Sequence, residues 1–424
     1  MDDSIIEIAA LEILTGNLVE RKMALTVWNI FMIILLVIFL WLYIDFTLGR
    51  KSHMKKLERT TLPMRKSDMD MFTDGPALFK DLFSELRNAQ KHIHILFYIV
   101  KDDKISEEFL SILKGKAKEG VEVRLLLDWA GSFPVKSKTI KELKSSGIKF
   151  SFAHVPKPPF LFYSFQARNH RKITVIDGTI GFSGGFNIGK EYINQDKKLT
   201  PWRDYHLKFQ GEGVHDLQRE FLADWYKATK TDLLANCIYF PELRAGKYRH
   251  QFSAYKGAYL EENFSSLIRK AKQSITIGTP YFIPSKRLFK DLSHALERGI
   301  TVRLLIPCVT DHILVKEASY LYLRKLLKQG AYVYQYLNGF YHAKAIMIDN
   351  EIADVGTANF DKRSLFLNYE INCFIYDKDF IQKVQTIVDT DIRNSKRLTL
   401  KELNRLDPFR TFKEMLARTV ASFL

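Results

Sequence analysis

Two stretches of the chain carry the same alternation of apolar and polar positions. In "YHAKAIMIDNEIADVGTAN", residues 341 to 359, a strand would put His342, Lys344, Ile346 and Ile348 on one face and Ala343, Ala345 and Met347 on the other. Both faces are mainly apolar, as in a strand covered on both sides, where an ammonium group needs a partner. Asp349 has the opposite parity to Lys344 and opens the turn signal "DNE", which puts it beyond the strand end. The partner of Lys344 is then either a mobile anion such as a phosphate or a buried structural ion pair. "NHRKITVIDGTIGFSGGFN", residues 169 to 187, repeats the pattern. His170, Lys172 and Asp177 match His342, Lys344 and Asp349 in spacing, and Gly184, Gly185 and Asn187 match Gly356, Thr357 and Asn359. A doubled match at equal spacing favours the phosphate.

The repetition extends upstream. "LRNAQKHIHILFYIV" (86 to 100) aligns with "IRKAKQSITIGTPYF" (268 to 282), each a helix end running into an apolar strand. "KEGVEVRLLLD" (118 to 128) aligns with "ERGITVRLLIP" (297 to 307), a glycine helix stop followed by a Val/Leu-rich strand. "LKSSGIKFSF" (143 to 152) and "LLKQGAYVYQY" (326 to 336) make the same move again. Strands alternating with helical segments predict an α/β fold of two halves with parallel, doubly covered sheets. If the halves face each other, each contributes one His, one Lys and one Asn to a shared cleft.

Hydropathy also marks the N-terminus. "ALTVWNIFMIILLVIFLWLYI", residues 24 to 44, holds no charge, and at about 1.5 Å per residue its helix spans roughly 30 Å, the thickness of a bilayer core. The run is too long for a signal-peptide core and no A-x-A-like site follows it. Trp41 and Tyr43 suit an interfacial belt. Arg50, Lys51, Lys55, Lys56 and Arg59 follow the span while Arg21 and Lys22 precede it, so the long C-terminal part is expected on the cytoplasmic side, in a single-pass arrangement. The expected divisions are an acidic segment 1–23, a span 24–44, a basic linker 45–67, halves at 68–235 and 236–395, and an amphipathic tail 396–424.

Composition and charge narrow the partners. The 424 residues are 46% hydrophobic and 26% charged, a globular balance. The formal charge of +16 favours polyanions: nucleic acid, an anionic lipid surface or phosphorylated substrates. The first 23 residues hold five acids and two bases, a net −3, so the rest carries +19 against the usually anionic leaflet. Cys237, Cys308 and Cys373 are too few and too scattered for a disulfide framework or a zinc ribbon.

Two further segments bear on the membrane. "VPKPPFLFYSF" (155 to 165) either dips into lipid or lines an acyl-chain groove, or folds onto its own core. "LKELNRLDPFRTFKEMLARTVASFL" (400 to 424) has helical spacing at Phe412, Met415, Leu416 and Thr419 and predicts an amphipathic helix, either packed on the body or bound at the membrane interface. The acidic segment has apolar spacing at Ile5, Ile6, Ile8, Leu11 and Leu14.

Two histidines, two lysines and two asparagines converging from equivalent halves suit attack on a phosphodiester. One imidazole attacks phosphorus and the other protonates the leaving oxygen. Lys172 and Lys344, with Asn187 and Asn359, would hold the nonbridging oxygens. This chemistry requires no metal or cofactor, and no carboxylate cluster or H-E-x-x-H pattern is present. A carboxylate that fixes each imidazole's tautomer is expected. Glu370 in "LNYEIN" is assigned to His342 and Asp204 in "WRDYH" to His170.

The paired H-x-K-x4-D, followed after six residues by G-[GST]-x-N, resembles the phospholipase D superfamily over residues from about 75 to 395. Within it, "GGFNIGKEY", "WRDYHLKFQGEGVHDLQREFLADW" and "GTANFDKRSLFLNYE", with the N-terminal span, are similar to bacterial cardiolipin synthases of the shorter kind. The resemblance implies a phosphatidyltransferase of the bacterial cell membrane built from two sandwiched α/β halves with mixed sheets and one active site. It implies a catalytic set of His170, Lys172, Asp177, His342, Lys344 and Asp349, with His170 as nucleophile and His342 as general acid. The implied reaction passes the phosphatidyl group of one phosphatidylglycerol to a histidine, releases glycerol, and gives cardiolipin with a second phosphatidylglycerol. Gly185 stands where a serine is common, so a hydroxyl contact is missing there, whereas Thr357 keeps one. Rival readings are a membrane-anchored phospholipase D hydrolase, a phosphodiesterase of nucleic acid, which the span disfavours, and a non-enzymatic lipid-binding or scaffold protein.

Overall fold

The computed structural model describes residues 3–59, 61–312, 314–405 and 407–420, with side chains from residue 23 to residue 417. The spacing noted between Ile5 and Leu14 lies outside the described side chains. The chain divides into two compact units, Met1–Leu57 with Pro156–Gln166, and Glu58–Val155 with Ala167–Leu424.

The first unit is built on one helix, Asp3–Lys55. It contains no proline, so nothing interrupts its backbone hydrogen bonds. Among the described residues it is the one helix long and apolar enough to cross a membrane, over Met23–Lys55, and its apolar side chains are exposed all round. The part of residues 45–67 expected as linker that runs to Lys55 instead continues this helix. Its continuation carries the segment 156–166. Tyr163 N–H donates to the buried Asp45 carboxylate at 2.8 Å, and the rings of Phe46 and His53 lie 5.7 and 5.8 Å from that of Tyr163. Gly49 permits the approach, since a Cβ there would fall 2.6 Å from Tyr163 Cβ. Leu161 and Phe165 remain exposed.

In the second unit each half opens with the predicted parallel strands. His92–Phe97, Glu122–Asp128 and Lys149–Ala153 are parallel, joined through the helices Lys104–Lys118 and Ser137–Ser145. Ser274–Gly278, Thr301–Pro307 and Tyr332–Tyr336 repeat this through the helices Lys286–Glu297 and Val315–Lys328. The parallel expectation fails for the rest of each half. Ile173–Ile176, Ile180–Gly184 and His206–Gly211 are antiparallel, as are Ala345–Ile348, Ile352–Gly356 and Tyr369–Ile375. The cause is local: Asp177 and Gly178, and Asp349 and Asn350, adopt positive φ and reverse the chain at once, leaving no room for a crossover helix.

The halves are hydrogen-bonded to each other. Arg65–Phe72 and Tyr248–Lys256, the first strand of each half, pair through Arg65 with His250, Lys66 with Arg249 and Ser67 with Tyr248. The result is one 15-stranded mixed sheet in which the two halves run outward from that seam in matching order. One apolar core takes Phe221 and Trp225 from the helix Gly213–Thr229 and Phe380 and Val384 from its counterpart Lys378–Arg393, so the halves share an interior. The tail helix Pro408–Val420 is present and packed on the body, and the side it turns outward is apolar: Phe412, Met415 and Leu416 are exposed. Its polar side is held inward because Glu414 pairs with Arg324 at 2.6 Å.

Candidate active site

Two short pieces of backbone pairing tie one half to the other beside the histidines. Trp202–Arg203 pairs in parallel with Phe340–Tyr341, and His342 N–H donates to the Arg203 carbonyl at 2.7 Å. Asn169 forms a bridge with Tyr369, and His170 N–H donates to the Tyr369 carbonyl at 2.9 Å. Each histidine therefore lies against the residue preceding a carboxylate of the other half.

The carboxylate assignment made from sequence is thereby exchanged. Glu370 lies on His170, its Oε2 2.9 Å from Nδ1, and Asp204 lies on His342, its Oδ2 2.6 Å from Nδ1. Both residues orient histidines, as expected, but each serves the opposite ring, because the pairing runs across the halves rather than along one strand. Nδ1 is taken in both rings, and Nε2 of His342 also lies 3.3 Å from Lys344 Nζ.

The lysines stand in the same buried cluster. Lys172 Nζ donates to the His170 carbonyl at 2.7 Å and lies 5.4 Å from the centre of the Tyr98 ring. Lys344 Nζ lies 3.2 Å from Asp204 Oδ2 and 2.5 Å from His342 Nδ1. Each histidine meets a carboxylate of the other half, so the halves meet in one buried cluster, and the two ammonium groups and both carboxylates act on one another's charge. Burial, opposed by Glu370 and reinforced by Lys344, brings Lys172 down to about 7. Burial also lowers Lys344 and His170, and with Lys344 it holds His342 at about 4. Burial pushes Asp204 up, but Lys344 and His342 outweigh it and hold the carboxyl at about 2. Glu370 is likewise below the usual range, as His170 and Lys172 overcome its burial. Burial keeps both lysines low beside ionised acids, and an arriving phosphodiester would raise all four bases.

Asp177 and Asp349 do not belong to this cluster. They sit past the far ends of the motif strands, where Asp177 accepts from the backbone N–H groups of Gln90, Lys91 and His92, and Asp349 from those of Lys272, Gln273 and Ser274. Their equal spacing in the motif reflects an equal structural duty: each pins a helix-to-strand turn to the motif hairpin. The expectation that Asp177 and Asp349 act in catalysis is corrected accordingly. Asn187 accepts from Ile99 N–H at 3.1 Å and donates to Tyr192 Oη at 3.1 Å, while the buried Asn359 Oδ1 has no hydrogen-bond partner among the described residues.

The hydroxyl contact expected of Thr357 falls on Glu370, and several further residues at the site were missed from sequence. Thr357 Oγ1 and Ser364 Oγ donate to the two oxygens of Glu370 at 2.6 and 2.8 Å. Tyr98 sets its ring 5.0 Å from His170, and Tyr281 its ring 6.1 Å from His342. The repeat offered one signal for the tyrosines, since they come after the matching strands His92–Phe97 and Ser274–Gly278, one residue out of register. Arg171 offered none: it is wholly buried, bonded to the Glu370 carbonyl at 3.1 Å and paired with Asp224 and Glu220, each at 3.0 Å.

Comparison with known proteins agrees with this duplicated geometry. Residues 82–225 and 264–392 match the family model described as "Cardiolipin synthase, PLD-like domain". The chain is 40% identical over 402 residues to the minor cardiolipin synthase ClsB of Bacillus subtilis, covering 94% of this chain and 100% of that protein. It is 38% identical over 364 residues to the cardiolipin synthase of Oceanobacillus iheyensis, covering 85% of this chain and 76% of the relative. Among solved structures, the phosphatidylserine synthase of Haemophilus influenzae superposes with a TM-score of 0.67 at 16% identity, covering 89% of this chain and 100% of that one, a likeness of fold.

Proposed function

The chain belongs to the phospholipase D-like cardiolipin synthase family, and from that premise we propose how its crossed histidine pairs carry out phosphatidyl transfer. His170 Nε2 attacks the phosphorus of a phosphatidylglycerol. The bond from phosphorus to the glycerol oxygen breaks, His342 gives that oxygen its proton, and glycerol leaves. His342, now neutral, takes the proton of a hydroxyl on a second phosphatidylglycerol, whose oxygen displaces His170 and completes cardiolipin. Lys172 and Lys344, with the Asn187 and Asn359 amides, hold the nonbridging oxygens as charge builds on them. No nucleic acid is expected in this site.

The observation that carries the assignment is the difference between the two Nδ1 atoms. That of His170 meets a carboxylate alone, which fixes one tautomer and keeps a lone pair on Nε2. That of His342 lies between a carboxylate and an ammonium group, so its proton can shift when Lys344 turns to a phosphate. A fixed tautomer suits a nucleophile and a shifting one suits an acid that later becomes a base.

The apolar helix supports membrane association. We place residues 24–44 across the bacterial cell membrane in a single pass, with the +19 body on the cytoplasmic side beside anionic lipids. The test is to incubate membranes holding the full chain with labelled phosphatidylglycerol and separate the lipids. Cardiolipin and free glycerol are expected. His170→Ala and His342→Ala should each lower transfer by about 10⁴ or more with the protein still in the membrane. Phosphatidic acid as the main product would make the protein a hydrolase, and substantial turnover in either variant would overturn the roles.

A further inference from the structure

The helix Pro408–Val420 lies on the second half with its amphipathic character turned inside out. Its inward side holds Glu414, whose oxygens accept from Arg324 at 2.6 and 2.8 Å, and Ala417, which packs with Ile283, Val315 and Ala318. Its outward side is apolar: Phe409 is 69% exposed, Phe412 53% and Met415 55%. Positions i, i+3 and i+6 make one stripe, and a large stripe of this kind facing solvent marks a binding surface. The stripe is edged by cations. Lys413 lies over the Phe409 ring at 4.5 Å, and Lys401 and Arg405 are exposed on the adjoining turn. Among the described residues none of the three has an acidic partner within ion-pair distance.

We propose that this outward face is a second membrane contact, seated in the headgroup region of an anionic leaflet. Aromatic and thioether side chains with basic neighbours are the composition of an interfacial helix. The basic rim decides between occupants: it is complementary to anionic lipid and repels the same rim on a second copy. The proposal rests on the membrane reading of the N-terminal helix and is independent of the transfer reaction.

The test uses the full chain in vesicles of phosphatidylcholine with phosphatidylglycerol, doped with a lipid bearing a diazirine on its acyl chain. After irradiation the labelled residues are mapped by mass spectrometry. Label is expected in 24–44 and, separately, in 409–415. Replacing Phe409, Phe412 and Met415 together by serine should cut the tail label by about tenfold and leave the span label unchanged. Lys413→Glu, which leaves the apolar stripe intact, should lower the tail label severalfold in the mixed vesicles and little in phosphatidylcholine alone. Label in the span with none in the tail would overturn the proposal, as would a tail linked to a second protein chain. Absence of label from both would count against the membrane reading itself, and loss of cardiolipin formation with tail label retained would count against the reaction alone.

Discussion

Arg171 follows the histidine of the first half, and Ala343 follows that of the second. The guanidinium reaches across the seam to the carbonyls of Glu370 and Tyr255, so the carboxylate on His170 is fixed through its backbone as well as by Thr357 and Ser364 at its oxygens. Asp204 is held differently: its Oδ1 accepts from the Tyr205 N–H at 2.8 Å, and among the described residues no hydroxyl donates to it. Gly185 stands where Thr357 does, and Lys344 shares the carboxylate with His342. One backbone plan thus carries a stiff acid–imidazole pair and an adjustable one. The inequality matches the roles proposed above, in which one ring stays a nucleophile while the other gives up a proton and takes one back.

The strongest way to break this comparison is to neutralise each carboxylate and change the leaving group. Glu370→Gln should lower transfer by about 10³ to 10⁴ whatever group departs, since it removes the support of the attacking ring. Asp204→Asn should cost a similar factor with glycerol departing but recover to within about tenfold of the parent with a p-nitrophenyl phosphodiester, whose leaving group needs no proton. Recovery of Glu370→Gln instead would exchange the roles of the halves.

A smaller effect tests the glycine. A Cβ on residue 185 would stand 2.0 Å from Asp204 Oδ1, and the cheapest relief is for Asp204 to swing away from His342. Gly185→Ser should therefore lose roughly 30-fold in kcat with a thermal midpoint close to the parent's, and the p-nitrophenyl substrate should restore most of it. Thr357→Val removes one hydroxyl from Glu370 at a cost of about 1 kcal/mol, or severalfold in rate, and should not respond to the leaving group. A serine at 185 with unchanged kcat would show that the space is not needed.

The smallest effect is in binding. Burial holds Lys172 near 7, so in the empty site its charge is present below that pH and lost above it. KM for the anionic lipid should rise severalfold from pH 6 to pH 8, and Lys172→Arg, charged throughout, should flatten the rise. A flat parent profile would mean that Lys172 stays protonated.

The features that sequence made legible were those repeated at fixed spacing. His170, His342 and their lysines stood out because an ammonium group on a doubly covered strand is improbable once and far more so twice. The same regularity misled for Asp177 and Asp349, since a duplicated turn repeats its anchor as faithfully as a duplicated site repeats its chemistry. Glu370 and Asp204 were identifiable, but which ring each serves depends on two-residue bridges between chain segments about 140 and 200 positions apart. No local pattern encodes that. The antiparallel hairpins were written in "IDGT" and "IDNE", whose positive-φ residues are turn formers, but the strand–helix rhythm upstream pointed to parallel order. The outward face of the tail helix was hidden because periodicity gives a stripe without saying which side the body takes; the pairing of Arg324 with Glu414 settled it.

The exchange of carboxylates sets a lower limit on the working machine. A single repeat unit holds an imidazole and an acid that cannot serve each other, so one unit alone is chemically incomplete and two in rotation complete both rings at once. Joining them in one polypeptide adds no new group to the cleft. What it supplies is licence to differ: positions such as 171 and 343, or 185 and 357, no longer have to be copies, and the division of labour between attacking ring and proton carrier could be written into one chain.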